Sequence, residues 1–394
     1  MSEFKEVVIT SACRTPIGAF NGALSTFSAP QLGSLVIKEA LTRSGLAGQD
    51  VSEVIMGQVL TAGVGQAPAR QAAIAAGVPN SVPCMTLNKV CGSGLKSVML
   101  AAQAIMVGDA EIVVAGGMEC MSRAPYLLDK ARNGYRLGHG ELTDSMIKDG
   151  LWDVYNDYHM GNAAELCARE CRVSREAQDE FSIRSYQRAL EAQKNGYFKD
   201  EIVPVSVPQR KGDSVMVSED EEPPRVNFEK LPTLRPVFQK DGTVTAANAS
   251  SINDGAAACV VMSGERAQKS GLTPLVTIRA QASAAKAPEW FTTAPADVIQ
   301  KILHKSHLNL EDIELFEINE AFAVVNLAVA DKLGLDQNKM NVHGGAVALG
   351  HPIGASGARI LTTLIYAMKR YNKKRGLATL CIGGGEASAV IVER

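Results

Sequence analysis

The sequence has little of what would announce a partner or a compartment. Its 40 basic and 42 acidic residues nearly cancel, so no net field recruits nucleic acid or an anionic membrane, and an anionic ligand must be held by local groups. No uninterrupted apolar run approaches the ~20 residues of a membrane-spanning helix. Eight cysteines, at positions 13, 84, 91, 120, 167, 171, 259 and 381, are scattered and contain no C-x-x-C pair. That excludes the disulfide framework of a short secreted chain and predicts reduced thiols in a cytoplasmic setting. The start, "MSEFKEVVITSACRTPIG", runs straight into a strand-like segment without the charged, apolar and cleavage-site regions of a signal peptide. The last residues, "VIVER", are not a peroxisomal address.

What is present fits a large enzyme. A chain of 394 residues with 46% hydrophobic content exceeds the usual single-domain size, so two packed units or one duplicated fold are expected. Self-similarity supports duplication. "GSGLKSVMLAAQAIMVGDAEIVVAGGME" and "GASGARILTTLIYAMKRYNKKRGLATLCIGGGEA" each pass from a glycine turn into an apolar helix, then into a short apolar strand ending in consecutive glycines and a glutamate. In the first copy Leu95, Val98, Met99, Ala102 and Met106 recur at helical spacing and Gly108 is placed to stop the helix. In the second, Ile360, Leu361, Leu364, Ile365 and Met368 do the same. The continuously apolar strands read as buried on both faces of a helix-covered sheet, hence α/β layers.

From about Ser122 to Ala249 the sequence is richer in charge and, at "VPQRKGDSVMVSEDEEPPR", hardly periodic. One helix there is predicted with Ser174 as cap, Glu176 in its first turn, Ala177, Phe181, Ala189 and Leu190 inward, and Asn195-Gly196 at its end. The region reads as a long excursion from the first half, of the kind that carries binding surfaces.

Three positions carry chemistry. In "NKVCGSGLKS", Cys91 stands at a strand-to-helix turn, where the helix dipole favours a thiolate, and Gly92 and Gly94 are expected to permit the sharp turn. The arrangement is comparable to the nucleophile elbow of serine hydrolases. Taken alone it fits equally a small buried cysteine. His351, in "GGAVALGHPIGASGAR", occupies the corresponding turn of the second copy and could take the thiol proton. Cys381 ends the last apolar strand, the edge where open α/β sheets place ligands, ahead of Gly383, Gly384 and Gly385, whose unobstructed N–H groups suit an oxyanion hole.

"NKVCGSGLKS", "NEAFA" at 319–323, "GGAVALGHPIGASGAR" and "LCIGGGEA", in this order, resemble the thiolases, and most closely their short-chain, acetyl-transferring biosynthetic branch. The resemblance runs from Val7 to the last strand. It implies a duplicated α/β fold, two βαβ-type halves with mixed sheets in helix–sheet layers, with a loop domain inserted from the first half. Residues 1–122 and about 249–271 would form the first half, about 123–248 the loop domain carrying coenzyme A and oligomer contacts, and 272–394 the second half.

The resemblance also implies roles. Cys91 would be the acylated nucleophile, His351 its activator, and Cys381 the group that moves the α-proton of the second acyl-CoA. Asn319 would position a water that forms one oxyanion site with His351, and the N–H groups of Cys91 and Gly383 would form the other. Ser250 would meet the pantetheine arm. His159, Met160 and Leu151 would line the tunnel, and Arg225 would lie at the nucleotide end. The lack of a P-loop or G-x-G-x-x-G fingerprint fits that binding mode. Coenzyme A thioesters would be substrates, in ping-pong exchange, with no metal or redox cofactor required. The expected reaction joins two acetyl-CoA into acetoacetyl-CoA and CoA, reversibly. A 3-ketoacyl-CoA thiolase of broader chain length is the alternative.

Departures from the family pattern are Ser251 in place of glycine, Phe291 where the acyl pocket commonly has methionine, and Glu386 and Ser388 after the catalytic strand. Glu386 has no evident role in the sequence. Rivals of other kinds are a decarboxylating condensing enzyme, against which Cys381 argues, and a lipid-binding module that kept only the scaffold. A zinc site from Cys167 and Cys171 lacks a nearby histidine. "MSRAPYLLDKARNGYRLGHG" is similar to the segment that ties thiolase tetramers together, and a homotetramer is expected.

Overall fold

A computed structural model describes residues 4–394. Nine strands form one continuous path: β1 (Val7–Arg14), β2 (Glu53–Gly57), β3 (Cys84–Leu87), β4 (Ile112–Cys120), β5 (Asn253–Ser263), β6 (Val276–Ala285), β7 (Leu315–Ile318), β8 (Arg375–Ile382) and β9 (Glu386–Glu393). Their order is β7-β8-β9-β6-β1-β5-β4-β2-β3. Two equivalent half-sheets meet in the middle, where β1 and β6 pair only through Val8↔Thr277 and Ile9↔Val276. In each half parallel strands adjoin two antiparallel ones: β3, β2 and β4 beside β5 and β1, β7 and β8 beside β9 and β6.

Alternation along the strands builds the layers. Val113 and Ala115 of β4 enter a core shared with Leu380 of β8 and Val390 of β9, whereas Ile112 and Val114 face the other way. The shared core is filled by α3 (Ser93–Val107) and α8 (Ser356–Arg370), which lie between the two half-sheets. Helices α1 (Ala29–Arg43) and α2 (Pro68–Ala75) cover the outside of the first half. Helices α6 (Ala294–Ser306) and α7 (Ala323–Leu333) cover the second. The result is five layers with both strands of the sequence repeat buried on two faces, as continuous apolarity predicts. Residues Val90–Val107, interrupted by Lys96 and other polar residues, are long and apolar enough to cross a membrane by composition. Their place between two sheets supplies the physical reason for that apolarity.

The segment between β4 and β5 adds no strand to the large sheet. It holds α4 (Met160–Glu170) and α5 (Arg175–Lys194). Ser174 caps α5, accepting from Ala177 N–H at 3.2 Å. The inward face differs from the expected apolar stripe: Gln178, Asp179, Ser182 and Ser185 are buried, while Ala177 and Leu190 are only partly so. Partners make this tolerable, since Ser185 donates to Glu320 at 2.7 Å and Gln178 to Thr243 at 2.9 Å.

A buried ion cluster fastens this segment to the sheet. Arg14 at the end of β1 meets Glu201 at 2.6 Å and Asp220 at 2.7 Å, all three side chains fully buried. Asp220 also accepts Ile17 N–H at 2.8 Å. Removing the cation would strand two carboxylates in the interior, which costs about 3–5 kcal/mol for a broken buried pair. Arg14→Met is expected to lower the unfolding free energy by that amount in urea titrations; a loss under about 1 kcal/mol would show the cluster to be dispensable.

Candidate active site

The Cys91 turn stores strain. Between β3 and α3 the chain passes through Val90 at φ 45°, a left-handed conformation that is an outlier for a β-branched residue and persists only where surroundings over-determine it. Val90 N–H donates to Asn88 Oδ1 at 2.9 Å. The Ser93 hydroxyl donates to Val90 O at 2.7 Å and accepts from Lys89 N–H at 2.9 Å. The sequence reading assigned the sharp turn to glycine, and the structure corrects it: Gly92 has an ordinary φ of −78°. The missing side chain leaves room for Ile382, whose Cδ1 a β-carbon at Gly92 would meet at 2.4 Å.

Glycine contacts also join the helix starts. A β-carbon at Gly94 of α3 would stand 2.8 Å from Ala358 N, and one at Gly357 of α8 would stand 2.3 Å from Leu95 N. The two helices therefore touch backbone to backbone at their first turns. That brings the Cys91 turn beside the loop carrying His351. The loops match in place but not in length, for residues 352–355 intervene before α8 while Gly92 alone separates Cys91 from α3.

Burial governs the charges. Cys91 is half-buried by area, yet its sulfur lies deep enough that desolvation pushes the thiol up to about 11, against the lowering effect of the Gly383 and Cys91 N–H groups. The expected thiolate is thus corrected to a resting thiol. Desolvation, helped by the Arg359 guanidinium, lowers His351 to about 3, so the imidazole is neutral. Cys381, near the end of β8, is buried and its thiol is raised by desolvation and by the neighbouring Cys91.

Three groups contact the histidine. Its backbone N–H donates to Asn253 Oδ1 at 2.8 Å. Its Nδ1 lies 2.6 Å from Ser356 Oγ, which is also 2.9 Å from Pro352 O. That hydroxyl can accept from Nδ1–H while donating to Pro352, leaving Nε2 a base, or turn its proton onto Nδ1, leaving Nε2 an N–H donor. Asn319 Nδ2 stands 3.5 Å from Nε2, and Asn319 Oδ1 faces Arg359 at 3.4 Å. Arg359 is buried 3.6 Å from Glu317, whose carboxyl burial raises to about 8.

A cavity of about 300 Å³ gathers most of the residues singled out in the sequence: Cys91, His351, Cys381 and Gly383 with Ser250, His159, Met160, Leu151 and Phe291. Asn319 lies behind His351 and reaches the cavity through it. Arg225 is not brought in. It stands half exposed and pairs with Glu221 at 3.5 Å.

Sequence reasoning missed much of the apolar wall, including Phe238, Phe322, Met121, Ile252 and Ile353. Phe238 stacks on His159 at 4.8 Å and meets Phe322 edge-on at 6.2 Å. Phe322 and Ile353 lie inside "NEAFA" and "GHPIG" and were available there. Phe238 comes from an aperiodic polar stretch without such a signal. The departures also acquire partners. Ser251 donates to Asn253 Oδ1 at 2.8 Å, Ser388 faces Ser283 across β9 and β6 at 3.1 Å, and Glu386 pairs with Lys89.

Comparison with known proteins agrees in family. The thiolase N-terminal domain model matches residues 7–265 and the thiolase C-terminal domain model residues 272–394. The chain is 57% identical over 390 residues to an acetyl-CoA acetyltransferase of Cupriavidus necator, covering 99% of each. It is 52% identical to acetyl-CoA acetyltransferase 2 of Arabidopsis thaliana, covering 99% of this chain and 97% of that one. The crystal structure of the Bacillus anthracis acetyl-CoA acetyltransferase superposes with a TM-score of 0.97 at 44% identity, over 100% of both chains.

A buried thiol reacts slowly with alkylating agents until it ionises. Alkylation of Cys91 by iodoacetamide, followed by peptide mapping, is expected to keep accelerating above the free-cysteine pKa of about 8.5. A plateau at or below that value would mean the turn stabilises a thiolate at rest.

Proposed function

The chain belongs to the thiolase family, and we propose that its cavity performs acetyl-CoA C-acetyltransferase chemistry: two acetyl-CoA give acetoacetyl-CoA and CoA, with thiolysis in reverse. The observation that carries the reading is the convergence of two thiols, one imidazole nitrogen and the Cys91 and Gly383 N–H groups on one small apolar cavity.

In the first half-reaction Cys91 Sγ attacks the thioester carbonyl while His351 Nε2 takes the thiol proton. The developing oxyanion lies between the Cys91 and Gly383 N–H groups, donors that need no reorganisation. Collapse expels CoA, which takes the proton from His351, and leaves an acetyl group on Cys91. In the second half-reaction Cys381 passes its proton to the vacated His351 Nε2 and, as thiolate, takes the α-proton of a second acetyl-CoA. The enolate oxygen is stabilised by His351 Nε2–H and a water held by Asn319, and its carbon attacks the acetyl carbonyl. The departing Cys91 sulfur then receives the proton from Cys381, which recovers its own from His351. Burial makes the Cys381 thiolate scarce but strongly basic, which suits a weak carbon acid. Thiols and thioesters supply every atom, so the scheme needs neither metal nor redox group.

Local hydrogen bonds support the binding roles. The Ser250 hydroxyl spends its proton on Ala321 O at 2.9 Å, so its oxygen is free to accept from a pantetheine amide. His159 Nδ1 accepts Gly161 N–H at 3.1 Å, which leaves Nε2–H to face the tunnel. Phe291, buried against Phe322 at 6.4 Å, narrows the acyl end and favours an acetyl group over longer chains. The eight unpaired cysteines support a reducing, cytoplasmic setting. Exposed Tyr126, Leu128, Leu137 and Leu142 support a homotetramer joined through this segment.

Brief mixing with acetyl-CoA is expected to leave an acetyl adduct on Cys91, detectable by intact mass and retained in Cys381→Ser, which loses turnover. No adduct and no turnover in the unaltered protein would revive the lipid-binding alternative. Thiolysis of a six-carbon 3-ketoacyl-CoA should show a lower kcat/KM than acetoacetyl-CoA, and the reverse order would favour a broader thiolase. Light scattering at micromolar concentration should give a tetramer mass; a monomer would refute the assembly.

A further inference from the structure

We propose that the Lys89–Glu386 ion pair is a positioning pair for this reaction, clamping the Cys91 turn onto the Gly383 turn so that their backbone N–H groups converge on one oxyanion. The inference rests on the acetyl-transfer reading above and adds to it two residues that do not touch the substrate.

Each partner is built into one of the two turns. Lys89 N–H is held by Ser93 Oγ at 2.9 Å, and Lys89 O accepts Gly92 N–H at 3.0 Å. Strained Val90 lies between these anchors and Cys91. Glu386 is the first residue of β9 and is laddered on both sides, to Ile382 of β8 and to Ala285 of β6. It closes the turn in which Gly384 and Gly385 take φ 88° and 86°, and in which Gly383 presents its N–H. The turns touch, for a β-carbon on Gly383 would lie 3.4 Å from Val90 Cγ1. Lys89 comes from the first half of the fold and Glu386 from the second, so the ion pair spans the seam at which the two donors meet.

The pair is poorly placed to add stability. Its side chains are 23% and 37% exposed, and ion pairs that face water contribute little to folding. Its geometric consequence is larger, because a donor shifted from its place loses much of its effect on a developing charge. Lys96 on α3 is a second cation facing the same carboxylate. Neutralising Glu386 would leave Lys89 and Lys96 opposed at the base of the strained turn.

The test is a double-mutant cycle with Glu386→Gln, Lys89→Met and both together, read by thiolysis kinetics, melting temperature and the pH profile of Cys91 alkylation. Removing one oxyanion donor outright costs about 100- to 1000-fold, so loosening two is expected to lower kcat about tenfold in each single variant. KM should stay within about twofold and the melting temperature should hardly move. The double variant should lose no more than either single, because the partners act through one another. The alkylation profile should shift to higher pH, since misaligned N–H groups stabilise the thiolate less. Unchanged kcat and alkylation in Glu386→Gln, losses confined to KM, losses that track melting temperature, or additive losses in the double variant would each overturn the proposal. If the unaltered protein turns over and Glu386→Gln matches it, this inference alone falls. If the unaltered protein neither acetylates nor turns over, the acetyl-transfer reading falls and takes this one with it.

Discussion

The contact on which the rest depends is between the first turns of the two central helices. Gly94 and Gly357 allow α3 and α8 to meet backbone to backbone, a distance no side chain permits. Because each helix is preceded by a functional loop, closeness of the axes becomes closeness of Cys91 and His351. Both helices are held by a core that faces two half-sheets at once, so the approach is fixed from either side. Duplication supplies the two turns, and glycine supplies their separation.

Desolvation then decides how the reacting groups rest. It raises both thiols and lowers the imidazole, producing a neutral set that is cheaper to bury than an ion pair. The Gly383 and Cys91 N–H groups act in the opposite direction at Cys91 and lose. Charge therefore appears only during reaction, where fixed donors meet it. Around this neutral centre the structure places its buried charges outside the cavity, with the Arg359 guanidinium behind Asn319 and Arg14 with its two carboxylates at the end of β1.

Much of this was legible in the residues. Helices α3 and α8 and strands β4 and β8 follow from apolar periodicity and from glycine stops such as Gly108, which takes φ 88°. Cys91, His351, Cys381 and Gly383 stand in glycine-marked turns and do share a cavity. What was hidden depends on contacts remote in sequence. Nothing at Val90 signals a left-handed backbone, and Phe238 has no periodic context. Glu386 has meaning only beside Lys89. The polar inward face of α5 could not be foreseen either, because its partners Glu320 and Thr243 lie far along the chain. Arg225 was placed by a gapped match in an aperiodic loop, which carries no geometric constraint, and it stands outside the cavity.

The Ser356 hydroxyl, poised between Nδ1 of His351 and the carbonyl of Pro352, bears on the tempo of the cycle. The two half-reactions ask one imidazole nitrogen first to accept a proton and then to donate one. With Nδ1–H held by that hydroxyl throughout, Nε2 changes role by gaining or losing a single proton, with no displacement of ring or loop. Resetting the histidine is therefore a matter of protons alone, and no movement of the protein at this residue separates the two half-reactions.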